Sequence, residues 1–261
     1  MNLIEVAATR LNTARLTGTP CSPIRDLLRD GTVADAYAIQ QHNTQLALAE
    51  GRRLCGWKIG LTNPSVQRQL GVDQPDFGPI FADEAMLDGI PISAELLLQP
   101  RVEAEVAFVL GRDLTDHPLT AVDVIRATEF VLPAIEIVDS RIAGWDISIL
   151  DTVADNASSG LHVVGAKPTP LRDVDLREAA MCMTEAGDLI SEGTGAGCLS
   201  HPVNAVVWLA NTLLLLGQPL RAGDLVLSGA LGPMVPVRRG ETYEASIAGL
   251  GSVRASFERS E

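Results

Sequence analysis

The sequence predicts an α+β protein in which a helical N-terminal portion packs on a β-rich remainder. Three observations carry this reading. Apolar residues recur at helical spacing as far as Glu50. From about Leu96 onward, alternation and short apolar runs dominate. After Ala222 the chain is broken repeatedly by glycine-containing turns. With 261 residues, 46% of them hydrophobic, the chain can bury a large core. We place the helical portion at 1–75 and a β-rich catalytic domain at 76–261.

Leu3, Ile4, Ala7, Leu11 and Ala14 mark a first helix. Thr32 with Asp35 opens a second over 33–50, and Gly51 stands where a C-terminal cap belongs. A short strand at 54–60 has glycines near both ends, and a loop follows at 71–78 around Pro75. Val102, Ala104, Val106, Phe108 and Leu110 share one parity of a long strand. Thr120 with Asp123 starts a helix running to about Phe130, and 131–138 is a second apolar strand. His201-Pro202 opens a further helix that ends near Gly217, with proline tolerated in the first turn. Gly193-Thr194-Gly195-Ala196-Gly197 has no strand–turn–helix context and is expected to be a flexible turn, not a phosphate loop.

The formal net charge is −13, and the densest basic clusters are the pairs Arg52-Arg53 and Arg238-Arg239. Such a surface repels nucleic acid, so no nucleic-acid partner is expected. None of the four cysteines forms a CxxC pair, which favours reduced thiols. The N-terminus lacks a basic segment followed by an apolar one, and the aliphatic run 213–216 is short. A cytoplasmic protein without a membrane span is therefore expected.

The chemistry lies in carboxylates. Strand alternation puts Glu103 and Glu105 on one face, roughly 6–7 Å apart at the backbone, with the opposite parity wholly apolar. Adjacent carboxylates repel and call for a compensating charge, which a hard cation supplies. On this segment alone a solvated acidic face and a metal site are evenly balanced. Glu136, an acid inside the apolar run 131–138, tilts the balance to the metal, because an isolated buried carboxylate is costly. Lys58, between Trp57 and Ile59, either snorkels to solvent or enters a site. Asp76, Asn156 and Ser158 read by default as turn formers, and Asp151 and Asp155 as capping or turn residues rather than extra ligands. The four histidines show no metal-ligand spacing.

Six stretches then appear in a recognisable order: 56–62 around Lys58, 71–78 around Asp76, 99–107 with Glu103 and Glu105, 132–136 ending on Glu136, 151–158 ending on Ser158, and 228–234. Over nearly its whole length the chain resembles the 2-keto-4-pentenoate hydratases of the fumarylacetoacetate hydrolase superfamily. The resemblance implies a mixed β-roll with flanking helices, in a homo-oligomer. It implies that Glu103, Glu105 and Glu136 hold Mg²⁺ or Mn²⁺, and that Lys58 and Asp76 transfer protons and stabilise charge. Ser158, with Asn156 of the same loop, is assigned to the substrate pocket, and Trp57 is expected to shape the pocket wall.

The implied activity is addition of water to 2-hydroxypenta-2,4-dienoate, giving 4-hydroxy-2-oxopentanoate, in meta-cleavage catabolism of aromatic compounds. Association with the next aldolase or decarboxylase of such a pathway is implied as well. The nearest rival is a 4-oxalocrotonate decarboxylase, whose second carboxylate would want an added cation; the sequence places none. An acylpyruvate-type C–C hydrolase calls for a His–Glu base, and no dyad is recognisable. A non-catalytic partner subunit is disfavoured by the intact set of acids and lysine.

Overall fold

The computed structural model describes residues 2–28, 31–63, 67–68 and 72–259. In chain order come α1 (Leu3–Thr17), α2 (Val33–Ala49), β1 (Leu54–Gly60), β2 (Asp76–Phe81), β3 (Ala85–Met86), β4 (Pro91–Ile92) and β5 (Arg101–Leu110). There follow α3 (Ala121–Ala127), β6 (Thr128–Val138), α4 (Ile149–Ala154), β7 (Ser159–Val164), β8 (Ala180–Glu185) and β9 (Asp188–Thr194). The chain ends with α5 (Pro202–Leu215), β10 (Leu225–Leu227), β11 (Val235–Pro236), β12 (Thr242–Ile247) and β13 (Gly251–Phe257).

The helix starts are set by reciprocal capping. Asn2 with Glu5, Thr32 with Asp35, Thr120 with Asp123 and Ser148 with Asp151 each form a capping box, a device that stabilises a helix by about 1 kcal/mol. Ala7, Ala8 and Leu11 of α1 meet Ala36 and Ile39 of α2 and Val153 of α4 in a helical cluster. The stretch Gly195–Leu215, which contains α5, is long and apolar enough to cross a membrane by length and composition, but Val206, Leu209, Ala210 and Leu213 of α5 are buried in the main core.

Two curled mixed sheets form the rest. The larger runs β2-β1-β10-β5-β6-β7-β3, with β11 also paired to β5; the smaller runs β4-β13-β12-β8-β9. Strand β1 falls inside the N-terminal 1–75, yet its pairing with β2 and β10 carries it into the larger sheet. One parity of β5, β6 and β7 packs into the main core through Val102, Ala104, Val106, Ile135, Ile137 and Val163. The other parity carries Glu103, Glu105 and Glu136. Register then fixes the neighbours: Gly60 lies opposite Asp76 and Lys58 opposite Gly78, while Glu103 lies opposite Glu136.

Several expectations are corrected. The loop assigned to 71–78 gives way at Asp76 to strand β2, which pairs along β1 despite Gly78 and Pro79; Gly71 lies outside the described residues. Helix α3 ends at Ala127, and β6 begins at once with Thr128. The glycines at 193 and 195 serve close approach and not flexibility. A Cβ at Gly193 would stand 1.9 Å from the Leu231 carbonyl oxygen, and one at Gly195 would stand 1.7 Å from that of Leu176. Trp57 alternates away from Lys58 and packs edge-on against Phe77 at 5.9 Å, so it forms no wall of the acidic site.

Candidate active site and metal centre

Glu103, Glu105 and Glu136 each offer a carboxylate oxygen, and these oxygens lie within 4.8 Å of one another. On the site face Glu105 of β5 is 0% exposed and Glu136 of β6 1%, while Glu103 is half-buried at the cavity edge. Glu105 Oε2 accepts a hydrogen bond from Gly229 N at 2.8 Å. Its Oε1 and both oxygens of Glu136 have no hydrogen-bond partner. The cation nearest Glu136 is Lys58, whose Nζ stands 3.2 Å from Oε1 and donates to the Ala157 carbonyl at 2.9 Å. Two buried carboxylates and a half-buried one against one ammonium leave excess negative charge and orphaned oxygens, and a divalent, oxygen-seeking cation fits that donor set.

The titration behaviour follows from the same crowding. Burial, then the charge of Glu136, push Glu103 up to about 7. Burial raises Glu105 well above the ordinary carboxylate value, with Glu136 and Glu103 adding to it. Burial also raises Glu136, although Lys58 opposes it. For Lys58, burial alone would lower the pKa, but Glu136, Asp76 and Glu103 outweigh it and keep the ammonium charged.

Asp76 is placed by a glycine. A Cβ at Gly60 would lie 2.1 Å from Asp76 Oδ1 and 3.3 Å from Lys58 Nζ, so only glycine lets the carboxylate lie across β1 beside the lysine. Asp76 is buried, its Oδ1 lacks a partner, and Thr152 Oγ1 stands 3.5 Å from Oδ2. Burial raises its pKa, with Lys58 the main opposing influence.

Ser158 Oγ lies 3.4 Å from Thr152 Oγ1. It closes a turn in which Asn156, Ala157 and Ser158 have φ of 57°, 50° and 54°. Successive non-glycine residues in the left-handed region cost about 1–2 kcal/mol each. The turn aims the Ala157 carbonyl at Lys58 and the Ser158 carbonyl at Asp139 N. Asn156, expected with Ser158 in the substrate pocket, donates through Nδ2 to the Pro79 carbonyl at 2.9 Å, and it is Ser158 that lines the site cavity. That bond ties the turn to β2. Asp151 and Asp155 are structural, as expected. Asp151 caps α4, and Asp155 Oδ1 accepts from buried Arg141 Nε at 2.5 Å.

These groups meet at a cavity of about 420 Å³ lined by Lys58, Asp76, Glu103, Thr152 and Ser158, together with Arg101, Trp145 and Met234. Residues 75–258 match the fumarylacetoacetate hydrolase C-terminal family model. The chain belongs to the fumarylacetoacetate hydrolase family. Among its curated relatives, 2-keto-4-pentenoate hydratase 2 of Dechloromonas aromatica (strain RCB) is 55% identical over 97% of both chains. The TodF product hydratase of Pseudomonas putida F1 is 55% identical over 98% of this chain and 96% of its own. Among solved structures, 4-oxalocrotonate decarboxylase from Pseudomonas putida G7, complexed with magnesium and adipate, superposes with a TM-score of 0.94. It is 32% identical over 97% of each chain.

Sequence reasoning missed Thr152, Arg101 and Trp145 as cavity residues of this family member. Arg101 was within reach, since it shares the parity of Glu103 and Glu105, and it supplies a cation the sequence did not place. His162, set aside as uninformative, lies opposite Glu136 on β7. It is buried and held neutral, lowered to about 4 by desolvation, and no hydrogen bond joins it to a glutamate among the described residues.

Proposed function

We propose that this chain is a hydratase that adds water to 2-hydroxypenta-2,4-dienoate, giving 4-hydroxy-2-oxopentanoate. Glu103, Glu105 and Glu136 hold the divalent ion, Mg²⁺ or Mn²⁺. The observation that carries the reading is the unpartnered oxygens of Glu105 and Glu136, within 4.8 Å of a Glu103 oxygen, with Glu103 lining one cavity together with Lys58 and Asp76. Hydratase relatives at 55% identity along nearly the whole chain support the substrate.

When bound, a divalent ion supplies Lewis-acid stabilisation of negative charge on the substrate's 2-oxygen. The rest is done by side chains. Lys58, fixed by Glu136 and the Ala157 carbonyl, keeps its positive charge beside the reacting enolate. Asp76 carries the mobile proton, because its Oδ1 is unpartnered and its carboxyl is raised by burial. The 2-hydroxyl gives up its proton as C5 gains one, forming the 2-oxo-3-enoate. Water then adds hydroxyl at C4, and C3 takes the remaining proton. Ser158 and Thr152 orient that water or the substrate through their hydroxyls.

Metal-stripped protein should leave the ultraviolet absorbance of the dienoate unchanged, and Mg²⁺ or Mn²⁺ should restore its decay. Equal activity in chelator would sink the reading. The decarboxylase reading is favoured by one observation, the fit to 4-oxalocrotonate decarboxylase at 32% identity. Offering both substrates and measuring carbon dioxide separates the two. We further propose a cytoplasmic homo-oligomer that associates with the aldolase or decarboxylase of the same pathway. A sedimentation mass equal to one chain would exclude the oligomer.

A further inference from the structure

We propose that Arg101 is the cation that receives the substrate's carboxylate and fixes the acid end of the molecule in the cavity. The substrate is taken from the hydratase reading, but the role requires only a small 2-oxo or 2-hydroxy acid. Arg101 opens β5, two residues before Glu103 and on the same face, and both line the cavity. At strand spacing its backbone stands roughly 6–7 Å from that of Glu103.

Charge makes the case. Lys58 is committed to Glu136 and to the Ala157 carbonyl. Among the described residues Arg101 makes no ion pair; its guanidinium lies 4.3 Å from the Trp145 ring centroid, and Nη1 stands 3.8 Å from Met234 Sδ. Stacking on an aromatic fixes the guanidinium plane while leaving N–H edges for a planar anion. Together with a divalent ion, Lys58 and Arg101 balance Glu103, Glu105, Glu136 and Asp76. Without Arg101, an acid substrate would meet excess negative charge.

The mount is rigid. Trp145 takes φ of 57°, and its Nε1 donates to the Gln99 carbonyl at 2.9 Å. Gln99 Oε1 accepts from Gly144 N at 2.7 Å, and Gln99 N donates to Asp139 Oδ1 at 2.6 Å. The arginine and the ring beneath it are therefore tied to one residue, Gln99. A carboxylate accepting two N–H bonds from such a fork is held strongly and in one orientation.

The test uses full-length protein saturated with Mg²⁺ and titrates oxalate, a stand-in for the carboxylate and 2-oxygen. Arg101→Gln should weaken oxalate about 10- to 100-fold, the range for charge-assisted hydrogen bonds, and raise KM for the dienoate in parallel. The kcat should change much less, and the Mg²⁺ affinity and unfolding midpoint should hold. Arg101→Lys, which keeps charge but loses the fork, should fall between. Oxalate affinity and KM within twofold of the parent would overturn the proposal. So would loss confined to a dicarboxylate such as adipate, which would move Arg101 to a distal group. If oxalate binding depends on Arg101 but the parent protein does not hydrate the dienoate, the carboxylate role stands and the hydratase reading falls.

Discussion

Lys58 Nζ lies 3.2 Å from Glu136 Oε1, and both side chains are almost wholly buried. Register brings Glu136 opposite Glu103, and the fold brings a lysine from β1 against the same acid. The pair makes the lysine a functional group, because a solvent-seeking lysine would not be enclosed at 3% exposure. Lys58→Met should lower kcat by about 10²- to 10⁴-fold, the usual loss for a proton-transfer or charge-stabilising group. Mg²⁺ should still bind, and more tightly, since the competing cation is gone. A variant with normal turnover would remove Lys58 from the mechanism.

Glu136 has no hydrogen bond to either oxygen, so its stability role depends on what neutralises it. Saturating Mg²⁺ at about 100 times its dissociation constant should stabilise the fold by about 2.7 kcal/mol. Glu136→Gln should abolish most of that increment and melt below the parent in metal-free buffer, because it leaves Lys58 without its buried ion-pair partner. Thermal melts with and without Mg²⁺ read both effects. An undiminished Mg²⁺ response in the variant would exclude Glu136 as a ligand.

Gly60 gives the sharpest steric prediction. Its missing side chain leaves the space that Asp76 Oδ1 occupies, 2.1 Å from an ideal Cβ. Gly60→Ala should displace the carboxylate and cost on the order of 10²-fold in kcat, as a misplacement of about 1 Å does. Mg²⁺ affinity should change little, because the ligands stand on β5 and β6. Parent-like kinetics would show that Asp76 needs no fixed position.

Much of this site was open to sequence reasoning because it rests on alternation. Glu103 and Glu105 share a face by parity, and Thr32 with Asp35 or Thr120 with Asp123 announce their helices by spacing. What parity does not state is register. Nothing local says that Glu136 pairs with Glu103, or that Gly60 faces Asp76. Strand β2 was hidden because Gly78 and Pro79 are poor strand formers, and pairing with β1 overrides them. Asn156 and Ser158 announced a turn, but its left-handed backbone was hidden because no glycine marks it; contacts to Pro79 and Lys58 hold it there. The parity of Arg101 was legible beside Glu103 and Glu105, but its stacking on Trp145, 44 positions away in sequence, was not.

The last prediction concerns the frame behind the site. Asp151 is fully buried, and its Oδ1 accepts from Ile24 N at 2.8 Å and Arg25 N at 3.0 Å. Its Oδ2 accepts from Ser148 N at 2.8 Å and Arg25 Nη1 at 2.6 Å. One carboxylate thus clamps the segment after α1 to the start of α4, which presents Thr152 to Asp76. Burial alone would raise its pKa, but the donors of Ser148 and Arg25 outweigh burial and hold it below the ordinary value. A folded-state pKa that is depressed stabilises the fold above the unfolded pKa, about 3.9, and that contribution is lost as pH falls through the folded value. Asp151→Asn should therefore cost about 2–3 kcal/mol at pH 7, as expected for a buried charge-assisted set. The gap between parent and variant should shrink steadily below about pH 4. Urea unfolding at pH 7 and at successively lower pH measures it. A gap that stays constant into acid would mean that the clamp works through shape and not through charge.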